Sequence, residues 1–181
     1  MLTSLLRAAV RRLEKRYDYD AGYLHDLAKA SPKALMAFSG VQKLAGFRQG
    51  APPEALAAAS LVATMAEDCG PCVQIGVKIS QENGVSPAVL RGVLIGSFSL
   101  MGPDASLAYA FAKASLEHDL GLADPLRDEV LRRWGPKGLA AIALAMASAR
   151  VYPTIKYAMG HGRTCSRISV DGEAVAVVRA A

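Results

Sequence analysis

The chain has 181 residues, enough for one domain with a real buried core, and 52% of them are apolar while only 6% are aromatic. Heavy alanine use with few aromatics favours packed helices over sheets, and three cysteines are too few, and odd in number, for a disulfide-built scaffold. The net charge of +5 gathers near the N-terminus in Arg7, Arg11, Arg12, Lys15 and Arg16 without an aromatic stacking platform, so a solvated helix face is expected rather than a nucleic-acid site.

In chain order, apolar residues recurring every three or four positions predict helices over 2–17, 22–30, 32–47, 53–68, 70–83, 87–101, 104–119, 125–134 and 137–160. Ser31-Pro32, Ser86-Pro87 and Asp124-Pro125 each set a capping side chain before a proline suited to a first helical turn. Gly102-Pro103 and Gly135-Pro136 end one helix and open the next. The first helix is amphipathic and is expected to close the bundle or to contact another subunit. Leu56, Ala59, Ser60, Ala63 and Ala66 mark one face of the fourth. The tail, ISVDGEAVAVV, places β-branched residues around Asp171-Gly172 and predicts a small hairpin or extended arm. No linker, repeat or low-complexity tract divides the chain, which therefore reads as a single all-α domain with a short extended C-terminal tail. No apolar run is expected to reach the length of a membrane span, and the opening residues lack a cleavage site, so a soluble cytoplasmic protein is expected.

The chemistry concentrates at Cys69-Gly70-Pro71-Cys72. A thioredoxin site needs a β-strand immediately before this tetrapeptide, whereas PPEALAAASLVATMAED before Cys69 has helical spacing, so that fold is excluded. Pro71 suits the first turn of a new helix, which places Cys69 at or just before the helix start and Cys72 in its first turn. Free backbone N–H groups there favour a thiolate, while Glu67 and Asp68 oppose it by like-charge repulsion. Sulfurs three residues apart on one turn are able to close a disulfide, so a reversible dithiol is expected, with simple packing thiols as the alternative.

A helix with an acidic end, CxxC, a second helix and a Gly84-Val85-Ser86-Pro87 turn together resemble the carboxymuconolactone decarboxylase and alkylhydroperoxidase D-like superfamily, most clearly over 50–100. The stretch RVYPTIKYAMGHG at 150–162 is also similar to a segment of that superfamily. The resemblance implies an all-helical bundle, a homo-oligomer, and a dithiol that reacts with peroxide or a small disulfide and is re-reduced by a separate dithiol. In that family the distal cysteine, here Cys72, meets peroxide and the proximal one, here Cys69, resolves it; exposure and the helix dipole alone favour Cys69 as the attacking thiol. The redox members add a glutamate twelve residues before the first cysteine and a histidine four after the second. Those positions hold Ala57 and Gly76 here.

Glu67 is then the nearest replacement proton acceptor, or else an ordinary solvated helix end. Gln74 has no proton-accepting side chain of that kind, and Lys78 lies more than a turn away. His118 reads as a charge partner at a helix end and His161 as a capping residue, with a site role as the alternative for each; His25 is expected at the surface. Cys69, Cys72, His161 and Cys165 would also make a three-sulfur zinc set, although the spacing is not a zinc signature, and Cys165 reads most simply as a structural thiol. No metal and no cofactor is called for, and neither nucleic acid nor membrane is an expected partner. Two further functions stay open: a decarboxylase-like enzyme without redox chemistry, and an oligomeric binding or scaffold protein that has kept only the dithiol.

Overall fold

A computed structural model describes residues 2–162 and 167–178, and these are mostly helical. Helix α1 spans Leu2–Tyr17, α2 Gly22–Ala30, α3 Pro32–Ser39 and α4 Val41–Ala45. Helix α5 spans Pro53–Met65, α6 Gly70–Glu82 and α7 Pro87–Ile95. Helix α8 spans Phe98–Leu116 with a break at Gly102, and α9 spans Leu120–Ala158 with a break at Gly135. Both breaks fall at the Gly-Pro pairs, where the glycine takes a positive φ (71° and 67°) open to a residue without Cβ, and the proline cannot continue the earlier hydrogen-bond ladder.

The centre of the fold is α5. Its ten buried residues include Ala55, Leu56, Ala57, Ala58, Ala59, Leu61 and Ala63, which surround the axis instead of forming one stripe. A helix apolar all round belongs inside a bundle, and α5 packs against α6, α7, α8 and α9. Ala66, expected on its apolar face, is exposed in the turn that follows. Alanines on α8 (Ala105, Ala108, Ala112) and α9 (Ala141) meet those of α5, so small side chains on both sides allow close helix approach.

A second apolar cluster lies to one side. Val10 of α1, Tyr23, Leu24, Leu27 and Ala28 of α2 and Leu35 of α3 pack together with Tyr19 and against Ile75, Ile155 and Met159. Helix α1 therefore closes the bundle through its apolar face, and Arg7, Arg11, Arg12, Lys15 and Arg16 are exposed on the other. His25 is not a plain surface residue: its side chain is half-buried and pairs with Glu14 at 3.1 Å, joining α2 to α1.

Several expected boundaries shift. Gly40 divides the predicted 32–47 helix, and Gly96, at φ 71°, ends α7 well before 101. Helix α9 begins at Leu120 and not at 125, because Asp119 caps it by accepting from the Leu122 N–H, which leaves Pro125 in the second turn. The tail forms the predicted hairpin, Ser169–Val170 antiparallel to Glu173–Ala174, with Asp171 and Gly172 both at positive φ as a tight two-residue turn requires. Gln74 of α6 holds it by donating to the Ser169 carbonyl and accepting from the Ser169 N–H.

By length and composition alone, α9 is apolar enough over one window to cross a membrane, with mean hydropathy 1.3 and 44% of that window buried inside the fold. That corrects the expectation that no run reaches such a length. The core helix of a globular domain passes the same test, and here Ile142 and Ala149 of α9 belong to the main core.

Candidate functional site

Cys69 and Cys72 are joined by a disulfide, with Cα atoms 5.3 Å apart. The geometry follows from the local sequence. Helix α5 ends at Met65, a short turn carries the chain through Asp68 at φ 49°, and α6 starts at Gly70 with Pro71 in its first turn. Cys69 is the N-cap and Cys72 the third residue of α6, so the two sulfurs bridge one turn. This matches the expected placement of both cysteines. Each is only 5% exposed.

The two cysteines line different cavities. Cys69 lines a pocket of about 460 Å³ walled by Met65, Asp68 and Val73 and roofed by the tail residues Ala174–Val178. Cys72 lines a second, apolar cavity of about 630 Å³ that lies between the N-terminal helices and the α5–α6–α9 face. Ala57 and Gly76, the two positions where the superfamily resemblance would place glutamate and histidine, line that same second cavity. A Cβ on Gly76 would lie 3.1 Å from Leu61 Cδ2, so a larger residue there would have to displace a fully buried leucine.

Glu67 sits in the turn before Cys69 and is mostly covered, its side chain 21% exposed. Its carboxylate accepts from Arg150 Nε of α9, so an ion pair engages it. Tyr157, about two turns further along α9, donates to the Asp68 carbonyl at 2.8 Å. Helix α9 thus grips the turn at two successive residues. His118 is exposed in the turn between α8 and α9, at φ 58°, away from the cysteines in neither cavity wall. His161 follows α9 after Gly160, and its N–H caps the helix by donating to the Lys156 carbonyl. Its ring hydrogen-bonds Asp26 at 2.8 Å and stands edge-on to Tyr23. Cys165 lies outside the described residues, and among those described no three His, Cys, Asp or Glu side chains gather as a metal site.

A polar group not expected from the sequence stands beside the buried sulfur. The Tyr19 hydroxyl lies 4.0 Å from Cys72 Sγ and, while the disulfide is closed, is the member of that pair with a hydrogen to give. Burial pushes the Tyr19 phenol above its ordinary pKa, and Tyr23 and Tyr152 nearby are raised for the same reason, so all three are neutral donors at physiological pH. Behind Tyr19 stands Lys156, 2% exposed, with Nζ 5.0 Å from the Tyr19 ring centroid and no hydrogen-bond partner among the described residues. Burial lowers its pKa, with Asp20 acting in the opposite sense. The signal for Lys156 was present in the sequence: Ile142, Met146, Ala149, Pro153 and Lys156 follow a four-three spacing, which puts the lysine on the buried stripe of α9.

No protein-family model matches this chain, and neither a curated protein nor a solved structure matches it.

Proposed function

We propose that this chain is a thiol-dependent oxidoreductase of the alkylhydroperoxidase D-like type, working as a homo-oligomer and cycling Cys69 and Cys72 between dithiol and disulfide. The observation that carries the reading is the closed disulfide at the start of α6, with Cys72 facing a cavity large enough for a small organic molecule. In the reduced state Cys69 occupies an N-cap position, where first-turn N–H groups stabilise a thiolate, and Cys72 has the Tyr19 hydroxyl beside it as a hydrogen-bond donor.

The Cys72 thiolate attacks one oxygen of a hydroperoxide; an S–O bond forms, the O–O bond breaks, and the leaving alkoxide takes a proton to become an alcohol. The Cys69 thiolate then attacks the Cys72 sulfenic acid, closing the disulfide and releasing the oxygen as water. An external dithiol restores both thiols by two exchange steps and is itself oxidised to a disulfide. Glu67 accepts a proton in this scheme only if its ion pair with Arg150 opens, which makes Tyr19 the better-placed group at the reacting sulfur. The cytoplasm, which keeps such dithiols reduced, suits this cycle.

A second reading is an oligomeric binding protein in which the dithiol is structural. Ala57 and Gly76 favour it, because no acid–base side chain occupies either position. Peroxide consumption with a dithiol donor separates the two readings, measured for wild type, Cys72→Ser, Tyr19→Phe and Glu67→Gln. The redox reading expects Cys72→Ser to abolish turnover and Tyr19→Phe to slow it more than Glu67→Gln. A wild type no faster than Cys72→Ser sinks it and leaves the binding protein.

A further inference from the structure

The cavity beside Cys72 has a composition unlike the rest of the molecule. Tyr17, Tyr19, Tyr23, Phe38, Phe47 and Tyr152 all line it, more than half of the aromatic residues in a chain with four Phe, six Tyr and one Trp. Tyr23, Phe38 and Tyr152 form an edge-to-face series, with ring centroids 6.3 Å and 5.4 Å apart. The lining from α5 and α6 is aliphatic and includes the small residues Ala57, Ser60 and Gly76. Large flat rings and an aliphatic wall with several small side chains around about 630 Å³ give the volume and lining of a site for an organic ligand.

The ends of the cavity differ in polarity. The inner wall includes the buried Leu56, Ala57, Thr64 and Cys72, while Gln42, Gly46 and Arg48 are exposed and mark an opening beside α4. Arg48 donates only to the Ala45 carbonyl, at 3.4 Å, and no carboxylate among the described residues pairs with it. Exposed Arg16, Arg127, Arg132 and Arg133 each spend their charge on a carboxylate, which Arg48 does not. An apolar chamber with an unpaired guanidinium at its mouth is complementary to a molecule with an apolar tail and an anionic head.

We infer that this cavity binds a free amphipathic carboxylate, with its head at Arg48 and its apolar tail among the aromatic rings, reaching the Cys72 side of the disulfide. Cys69 stays reachable from its own pocket under the C-terminal tail, so one ligand is able to cover one sulfur and leave the other open. Binding itself does not depend on turnover of the dithiol. A protein with an inert disulfide would still bind the carboxylate, and an active one would still turn over without it.

Calorimetric titration of the full chain with dodecanoate below its micellar concentration, and with dodecanol as the uncharged counterpart, tests the inference. Wild type is expected to bind one dodecanoate per chain. Ser60→Phe, which fills the cavity from a half-buried wall position, is expected to abolish binding, and circular dichroism would establish that this variant is folded. Arg48→Gln, at an exposed position that carries no fold risk, is expected to weaken dodecanoate about three- to fivefold and leave dodecanol unchanged. In the reduced protein, saturating dodecanoate is expected to slow alkylation of Cys72 by an apolar maleimide at least about fivefold without slowing that of Cys69. No saturable binding to wild type overturns the proposal, as does full-strength binding to a folded Ser60→Phe. Equal losses for dodecanoate and dodecanol in Arg48→Gln overturn the anionic head, and equal protection of both cysteines overturns the separate access.

Discussion

The two apolar clusters of this molecule are built on opposite rules. In the main core, α5 meets α8 and α9 with alanine on both sides, and Ala58, Ala59, Ala63, Ala105, Ala108, Ala112 and Ala141 are all completely buried. In the N-terminal layer, tyrosines, phenylalanines and leucines from α1–α4 face an α5–α6 wall interrupted by the small residues Ala57, Ser60 and Gly76, and a cavity remains between them. Small against small lets backbones close up and leaves no void; large against small keeps backbones apart, and the space is filled only as far as the rings reach. Stability is expected to reside in the first arrangement and ligand space in the second. The dithiol lies where the two meet, since α6 carries Cys72 into the cavity and Val73 and Val77 into the main core.

The largest effect should come from overpacking the tight side. Ala58→Leu inserts a branched side chain where exposure is 0%, and a loss of about 3 kcal/mol in chemical denaturation is expected. Ser60→Phe, two residues along the same helix but facing the cavity, should change stability by less than about 1 kcal/mol. Equal costs at the two sites would erase the distinction between the clusters.

The junction comes next in size. Opening the Cys69–Cys72 disulfide releases a loop with a sequence separation of only 3, which restrains few unfolded conformations. Reduction should therefore cost at most about 2 kcal/mol, read as the shift in denaturation midpoint with and without a dithiol reagent. A much larger loss would make the bridge a structural staple and weaken the redox reading.

Lys156 sharpens the contrast from the other direction, because it is a charge placed against the buried aromatic layer without a hydrogen-bond partner among the described residues. Its pKa is lowered in the fold, by burial first, while the unfolded chain keeps the ordinary value of 10.5. Between those two values the unfolded chain binds the proton more tightly, so wild-type stability rises with pH across that interval. Below the lowered value the full cost of the buried ammonium is present. Lys156→Met should then stabilise the protein at neutral pH by about 1 kcal/mol, and the gain should shrink as pH approaches 10.5. A variant that is less stable at neutral pH would mean that the ammonium finds favourable company in the Tyr19 ring and Asp20.

What the sequence disclosed was local. The position of both cysteines on α6 follows from Pro71, the breaks at Gly102 and Gly135 from the following prolines, and the hairpin from Asp171-Gly172, each a matter of a few adjacent residues. The engagement of Glu67 was not legible, because Arg150 lies 83 positions away and nothing local to either announces the pair. Tyr19 at Cys72 is a contact across 53 positions and was hidden for the same reason. Ala57 and Gly76 read in the sequence only as absences of two expected side chains; in the fold they are the small wall of a cavity, which only the packing of α1–α4 across from them creates.

The smallest effect tests whether the N-terminal layer moves as a unit. Glu82, at the end of α6, accepts from Arg16 Nε at 3.1 Å and from the Tyr17 hydroxyl at 2.7 Å, and so ties the last turn of α1 to the dithiol helix. The Tyr17 hydrogen bond, and then that from Arg16, hold its carboxyl below the ordinary 4.5. The tie is therefore in force above that value and is lost as pH falls through the lowered one. All three groups are at or near the surface, so Glu82→Gln should leave the global denaturation midpoint unchanged. Amide-exchange protection, corrected for intrinsic rates, should fall in α1 and stay the same in α5, since α1 has only Val10 fully buried among its described side chains and opens locally. If protection fell in both helices together, the aromatic layer and the alanine core would be one cooperative unit, and the cavity between them could not open without unfolding the rest.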